Sequence, residues 1–285
     1  MVFPVFENNL VLFASQLGIK LSYSNVKIHL SAVKFYAHLH GFNNDFKNFT
    51  RLYMVVRGIK KSQGNKFMKP KRNPVTPRML EIIKFHLFNS SHRYEDKLMI
   101  WSAMLVAFFG FLRASEYTSK CVKSYEEDST LSFTDVSISG DLISINVKSS
   151  KTDPFRMGVI IKIAANNSIL CPVIALKQFM ACHPSRTGPL FTFHNGRFLT
   201  RKDISKILVD FSQSSDNLSS HSFRIGAATT AASMGHPRWL IQSLGRWSSD
   251  CFRNYLRIPE KTISAVSLSM IQQPSNMDVY DPDLM

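Results

Sequence analysis

With 285 residues, 45% of them hydrophobic and 12% aromatic, the chain can bury one large core or two smaller ones, which excludes a disordered polymer. Its net charge of +15 points to a polyanionic partner, nucleic acid first and an anionic membrane surface second. The longest apolar run, Met99 to Leu112, falls short of the roughly 20 residues that cross a bilayer. It reads as a core helix, and no membrane association is expected.

The charge is unevenly spread. Residues 1–72 hold 12 Lys and Arg against two acids, Glu7 and Asp45, so +10 of the +15 sits in the first quarter of the chain. A one-sided basic segment resembles a clamp on DNA more than a solubility device. Four dispersed cysteines (Cys121, Cys171, Cys182, Cys251) form no C-x-x-C pair, and no secretory signal opens the chain, so reduced thiols in an intracellular protein are expected. A zinc site from Cys171, Cys182 and His183 is disfavoured, because the spacing fits no common ligand pattern.

Taken in chain order, residues 1–62 read as helical. Ser22, Ser24 or Asn25 can cap the segment 26–40, which Gly41 ends, and a second helix over 45–62 ends near Gly64. Residues 65–77, with Lys66, Lys69, Lys71 and Arg72 among three prolines, suit either a solvated linker or a segment lying on phosphates. Two apolar helices follow at 77–90 and 95–113. Residues 131–163 switch to a period of two, with turns at Gly140-Asp141 and at SSKTDPFR, which predicts three antiparallel strands. Helices return at 171–182, 201–212, 221–234, 237–244 and 249–257. A short amphipathic segment follows from Glu260, and the polar, acidic tail 266–285 reads as disordered. The expected fold is mostly α with a small antiparallel β-sheet, an α+β domain preceded by a helical one.

Several positions invite chemistry. Arg113 is expected to end the second apolar helix, where its guanidinium is costly unless paired. Glu116, three residues on, can pair with it directly or orient it toward a phosphate from behind. His221 and Arg224 are three apart at the start of a helix that Ser219 or Ser220 can cap, so they share a face at an anion-favouring terminus. The small residues behind them, IGAATTAASMG, suit close helix packing. Lys151 sits in the SSKTDPFR turn, with Lys148 as its local competitor. Trp247 follows Gly245, a candidate helix C-cap, and can donate its indole N–H to a phosphate or simply pack. Tyr255 is placed on the last helix.

Taken together, GFLRASE, SKTDPFR, HSFRIGAATTAA and LGRWSS…Y resemble the tyrosine recombinases, the phage-integrase-like family, over roughly residues 20 to 265. The wording is most similar to the DIRS-type and Crypton-type recombinases of eukaryotic mobile elements. The resemblance implies Arg113, Lys151, His221, Arg224, Trp247 and Tyr255 as the catalytic set, supported by Glu116. Trp247 stands where many bacterial members carry His, and Arg246 beside it is a second candidate phosphate ligand. The implied organisation is a helical DNA-clamping domain over 1–64, a basic linker over 65–76, a catalytic domain over 77–265 and a tail over 266–285. Relatives carry a longer four-helix clamp, so the first domain is expected to be N-terminally truncated. The implied function is site-specific DNA recombination through a 3′-phosphotyrosine, integrating or excising a mobile element in the nucleus. It implies double-stranded DNA as partner, a homotetramer on paired sites, and no cofactor or metal. An inactive or domesticated DNA-binding protein and a type IB topoisomerase-like enzyme are the alternatives.

Overall fold

The computed structural model describes residues 5–42, 46–67, 70–149, 153, 155–183, 187–211, 217–249, 252–253, 255–256, 263–264 and 268. They divide into two compact units, Met1–Pro70 and Lys71–Met285.

The first unit contains helices α1 (Glu7–Lys20), α2 (Tyr23–Leu39) and α3 (Thr50–Gln63). The Ser22 hydroxyl caps α2 by accepting from the Asn25 N–H at 3.4 Å. Leu10, Ala14, Val26, Val33 and Leu52 form its core. Gln63 ties the three helices at one end. Its amide donates to the carbonyls of Gly18 (2.9 Å) and Leu21 (2.7 Å) and accepts from the Tyr23 N–H (2.8 Å). One helix was expected over 45–62; a short 3-10 turn over Phe46–Asn48 precedes α3 instead, and Phe49 stands between them in a non-helical conformation.

The second unit opens with α4 (Pro77–Asn89), capped by the Thr76 hydroxyl, which accepts from the Met79 N–H at 3.2 Å. Then comes α5 (Tyr94–Phe109). From Leu98 to Phe108 every residue of α5 is buried, as a helix apolar on all sides must be. It is the central rod, against which α7 (Pro172–Cys182) and α9 (Ser222–Ser233) pack. Helix α8 (Arg201–Phe211) lies against α4, and α10 (Arg238–Leu244) against α9. Between α5 and α7 lie a one-turn helix, α6 (Ala114–Tyr117), and the sheet.

The sheet has the three expected antiparallel strands, β1 (Val136–Ser139), β2 (Leu142–Val147) and β3 (Val159–Ala164), in the order β1-β2-β3. Val136 faces Ile145, and Val147 faces Val159. The alternation of β2 turns Ile143, Ile145 and Val147 into the core, which fixes the register, since a one-residue slip would expose all three. No helix among the described residues is long and apolar enough to cross a membrane.

Two expected helices differ. The helix predicted over 95–113 stops at Phe109: Gly110 caps it and Phe111 reverses the chain at φ 50°. In the stretch 249–257, the described residues form a 3-10 turn at Phe252–Arg253 and a turn at Tyr255 rather than an α-helix. Of the amphipathic segment after Glu260, only Ile263, Ser264 and Leu268 are described, all helical; the rest of it and of the acidic tail lies outside the described residues.

Candidate active site

The reversal after α5 positions the first arginine. Arg113 does not end the apolar helix; it is the N-cap of α6, in extended backbone. Glu116, on the third residue of α6, reaches back to accept from the Arg113 N–H at 2.8 Å and from its guanidinium at 3.2 Å. The pairing expected from a shared helical face is thus a capping arrangement. Glu116 is buried and also holds Arg246, at 2.7 Å. One carboxylate therefore serves two guanidiniums.

Helix α9 supplies the next pair. His221 is its N-cap residue, and the Ser219 hydroxyl accepts from the His221 N–H at 3.3 Å. Arg224, one turn in, is 1% exposed. Its guanidinium donates to the carbonyls of Phe111 and Gly245 and lies over the Trp247 ring, 4.4 Å from the centroid. Carbonyls and a π-face repay part of the cost of burying that charge, but no carboxylate bonds it directly among the described residues. The close packing expected of the small-residue helix is present at Gly226, where a Cβ would lie 1.9 Å from the Val75 carbonyl oxygen.

Trp247 and Tyr255 complete the constellation. Trp247 is buried against Phe111 and Phe252. Gly245 caps α10 as expected, yet the left-handed residue is the next one, Arg246 at φ 54°. Glycine is needed at 245 for contact: a Cβ there would lie 1.7 Å from the Trp247 ring. The Tyr255 ring stands 5.2 Å from the His221 ring and 5.0 Å from the Trp247 ring, centroid to centroid. Its carbonyl accepts from the Thr229 hydroxyl at 3.1 Å, so α9 anchors Tyr255 as well as His221 and Arg224. The Trp247 indole N–H is buried with no acceptor among the described residues.

Arg113, His221, Arg224 and Tyr255 line one cleft of about 490 Å³. Arg72, Arg201, Ser205, Ser219 and Ser220 line it too. Its electrostatics are one-sided. Burial lowers the His221 pKa to about 4, with Arg224, Arg72, Arg113 and Arg201 adding repulsion, so the imidazole is neutral at pH 7. Burial also lowers Arg224 to about 9, with Arg113 and Arg246 contributing, and pushes Arg246 down despite Glu116. Three guanidiniums crowd around one carboxylate, and an anion entering the cleft would relieve that strain.

Five of the six expected catalytic residues are therefore brought together, with Glu116 behind them. Lys151 lies outside the described residues, as does Lys69. Its competitor Lys148 is engaged by Asp135 at 2.9 Å. Of the linker cations, Arg72 lines the cleft, while Lys66 and Lys71 are exposed and Lys66 lies over the Phe67 ring at 5.7 Å. Arg246, the second candidate phosphate ligand, is not among the residues lining this cleft; it lines another with Trp247, and its guanidinium is turned to Glu116. Arg201 and Ser205 were missed. A signal existed: Arg201 opens α8, and a cation in a helix's first turn opposes the macrodipole, a local conflict that often marks function.

No protein-family model matches the sequence, and no curated protein matches it. Solved structures do. The XerH site-specific recombinase, bound to a palindromic difH substrate in a post-cleavage complex, superposes with a TM-score of 0.62 at 16% identity, over 94% of this chain and 73% of that one. The Tn1549 transposon integrase in complex with circular intermediate DNA gives 0.55 at 16% identity, over 93% and 85% of the respective chains. XerA recombinase gives 0.51 at 14% identity, over 94% and 91%. The chain thus shares with these recombinases and integrases one architecture, the mostly helical catalytic fold of tyrosine recombinases with its small antiparallel sheet.

Proposed function

We propose that the protein is a site-specific DNA recombinase that breaks and rejoins strands through Tyr255. One observation carries this reading: a tyrosine shares a cleft with a neutral histidine and with the guanidiniums of Arg72, Arg113, Arg201 and Arg224. That arrangement suits a phosphodiester, whose non-bridging oxygens gain charge during attack. The Tyr255 oxygen would bond to phosphorus as the P–O5′ bond breaks, leaving a 3′-phosphotyrosine and a free 5′-hydroxyl. The phenolic proton would pass to the neutral His221, and Lys151 would give a proton to the departing 5′ oxygen. Arg113 and Arg224 would hold the non-bridging oxygens, with the Trp247 N–H, which has no acceptor among the described residues, as a further donor. Because the phosphotyrosine keeps the bond energy, a 5′-hydroxyl of another strand can reverse the attack, so neither ATP nor a metal ion is required.

Double-stranded DNA is the proposed partner. The XerH and Tn1549 structures are DNA complexes, and the basic first unit and linker would embrace the duplex here. A homotetramer on paired sites, integration or excision of a mobile element of the DIRS or Crypton type, and action in the nucleus extend the same proposal from the motif resemblance.

The test is covalent capture. The protein is incubated in EDTA with nicked random-sequence duplexes, denatured, and the attached DNA sequenced beside Tyr255→Phe. Attachment by wild type alone is expected. Salt-sensitive binding without attachment would sink the cleaving reading and favour a non-cleaving DNA-binding protein. Relaxation of supercoiled DNA without exchange between two duplexes would favour the topoisomerase-like one.

A further inference from the structure

Arg246 does not line the cleft, yet it joins the groups that do. Its guanidinium donates to Glu116 at 2.7 Å, the carboxylate that also holds Arg113. It reaches the Gly110 and Phe111 carbonyls, each at 3.4 Å, and the Phe111 carbonyl also accepts from Arg224. Arg113 and Arg224 are thus wired to each other through Arg246, by one shared carboxylate and one shared carbonyl.

The backbone accepts strain to hold it there. Arg246 and Phe111 both sit at positive φ, 54° and 50°, a left-handed conformation unfavourable for residues that carry a Cβ. Side-chain exposure is 10% for Arg246 and 2% for Glu116, so water does little to screen the pair. One guanidinium nitrogen reaches both Glu116 and the Phe111 carbonyl while the other reaches the Gly110 carbonyl, a fixed planar fork that a lysine ammonium does not reproduce.

We infer that Arg246 is a positioning residue: it sets the placement of Arg113 and Arg224, and so the shape of the site that takes the two non-bridging oxygens of the scissile phosphate. This rests on the DNA-cleaving reading above. It differs from a direct role as phosphate ligand, because Arg246, unlike Arg113, which Glu116 also holds, is not among the residues lining the cleft.

The test uses the full chain and a synthetic duplex of the captured sequence, made with either phosphate or a neutral methylphosphonate at the cleaved linkage. Adduct formation at saturating DNA is timed for wild type, Arg246→Gln and Arg246→Lys, with DNA affinity and melting temperature measured alongside. On phosphate, Arg246→Gln is expected to slow adduct formation by about 10²-fold, the scale of one lost transition-state donor, with affinity changed less than about 3-fold. Arg246→Lys, which keeps the charge toward Glu116, should fold if Gln does not and still be slowed about 10-fold. On methylphosphonate one anionic oxygen is gone, so the penalty of both variants should shrink markedly. An equal penalty on both substrates would mark Arg246 as merely structural and overturn the inference, as would rates within about 3-fold of wild type. If wild type itself formed no Tyr255-dependent adduct, the DNA-cleaving reading would fall and the inference with it.

Discussion

At the scale of the residue, His221 is the informative titrating group. Its folded pKa of about 4 lies below the ordinary 6.5, first because it is buried and then because four arginines face it. The sign follows from linkage. Between pH 6.5 and about 4 the unfolded chain binds a proton that the folded one refuses, so the His221 contribution to stability is complete above pH 6.5 and is lost as pH falls through that window. A phosphate in the cleft offsets the arginine repulsion and raises that pKa. DNA affinity at fixed salt should therefore rise as pH falls from 7.5 to 5.5, with proton uptake detectable by calorimetry in buffers of different ionisation heat. His221→Gln should flatten the response; an unchanged slope in that variant would remove His221 from the interface. The residue scale also holds what the sequence misjudged. Arg113 and Glu116 were legible as a pair, but the capping geometry was not, because it depends on Phe111 turning the chain at positive φ. Few local signals announce a left-handed phenylalanine.

At the scale of the element, α9 organises the site. One face carries His221 and Arg224, Thr229 holds the Tyr255 backbone, and Gly226 lets Val75 approach. Val75 also donates its N–H to the Ser222 carbonyl at 3.0 Å, so the segment bearing Arg72 docks onto the helix start. Gly226→Ala sets two effects against each other. Alanine gains about 1 kcal/mol of helix propensity. Its Cβ, however, would meet a backbone carbonyl oxygen at 1.9 Å, and a backbone cannot swing aside as a side chain can. The clash should win, with a net loss of about 2 kcal/mol in urea unfolding, the range of typical overpacking. A variant as stable as wild type would show that the segment does not pack this closely. Small residues at 226–228 were readable as a sign of close packing, whereas the partner was not, since Val75 lies about 150 residues earlier in the chain.

At the scale of the whole molecule, charge governs. The first 72 residues hold a surplus of ten cations, and the cleft adds Arg113, Arg201 and Arg224. Each phosphate neutralised releases a counterion, so log K against log salt should fall with a slope steeper than about −3. Filter binding or fluorescence anisotropy between 50 and 200 mM salt reads this directly. A nearly flat response would count against DNA as the partner.

The sequence by itself determined most of the longer helices and the three-strand sheet, because a period of two and helical spacing are local properties of the chain; it did not foresee α6 or the turns found in the described part of 249–257. It also picked out the motif residues, of which Arg113, His221, Arg224, Trp247 and Tyr255 converge in space. Only the tertiary structure decided which cations face the cleft and which are held behind it. Arg246 and Arg201 look alike in a sequence, yet Glu116 and two carbonyls turn one inward, while the start of α8 presents the other to the cleft. A guanidinium's role depends on which oxygens it meets, and those come from residues as much as 136 positions away.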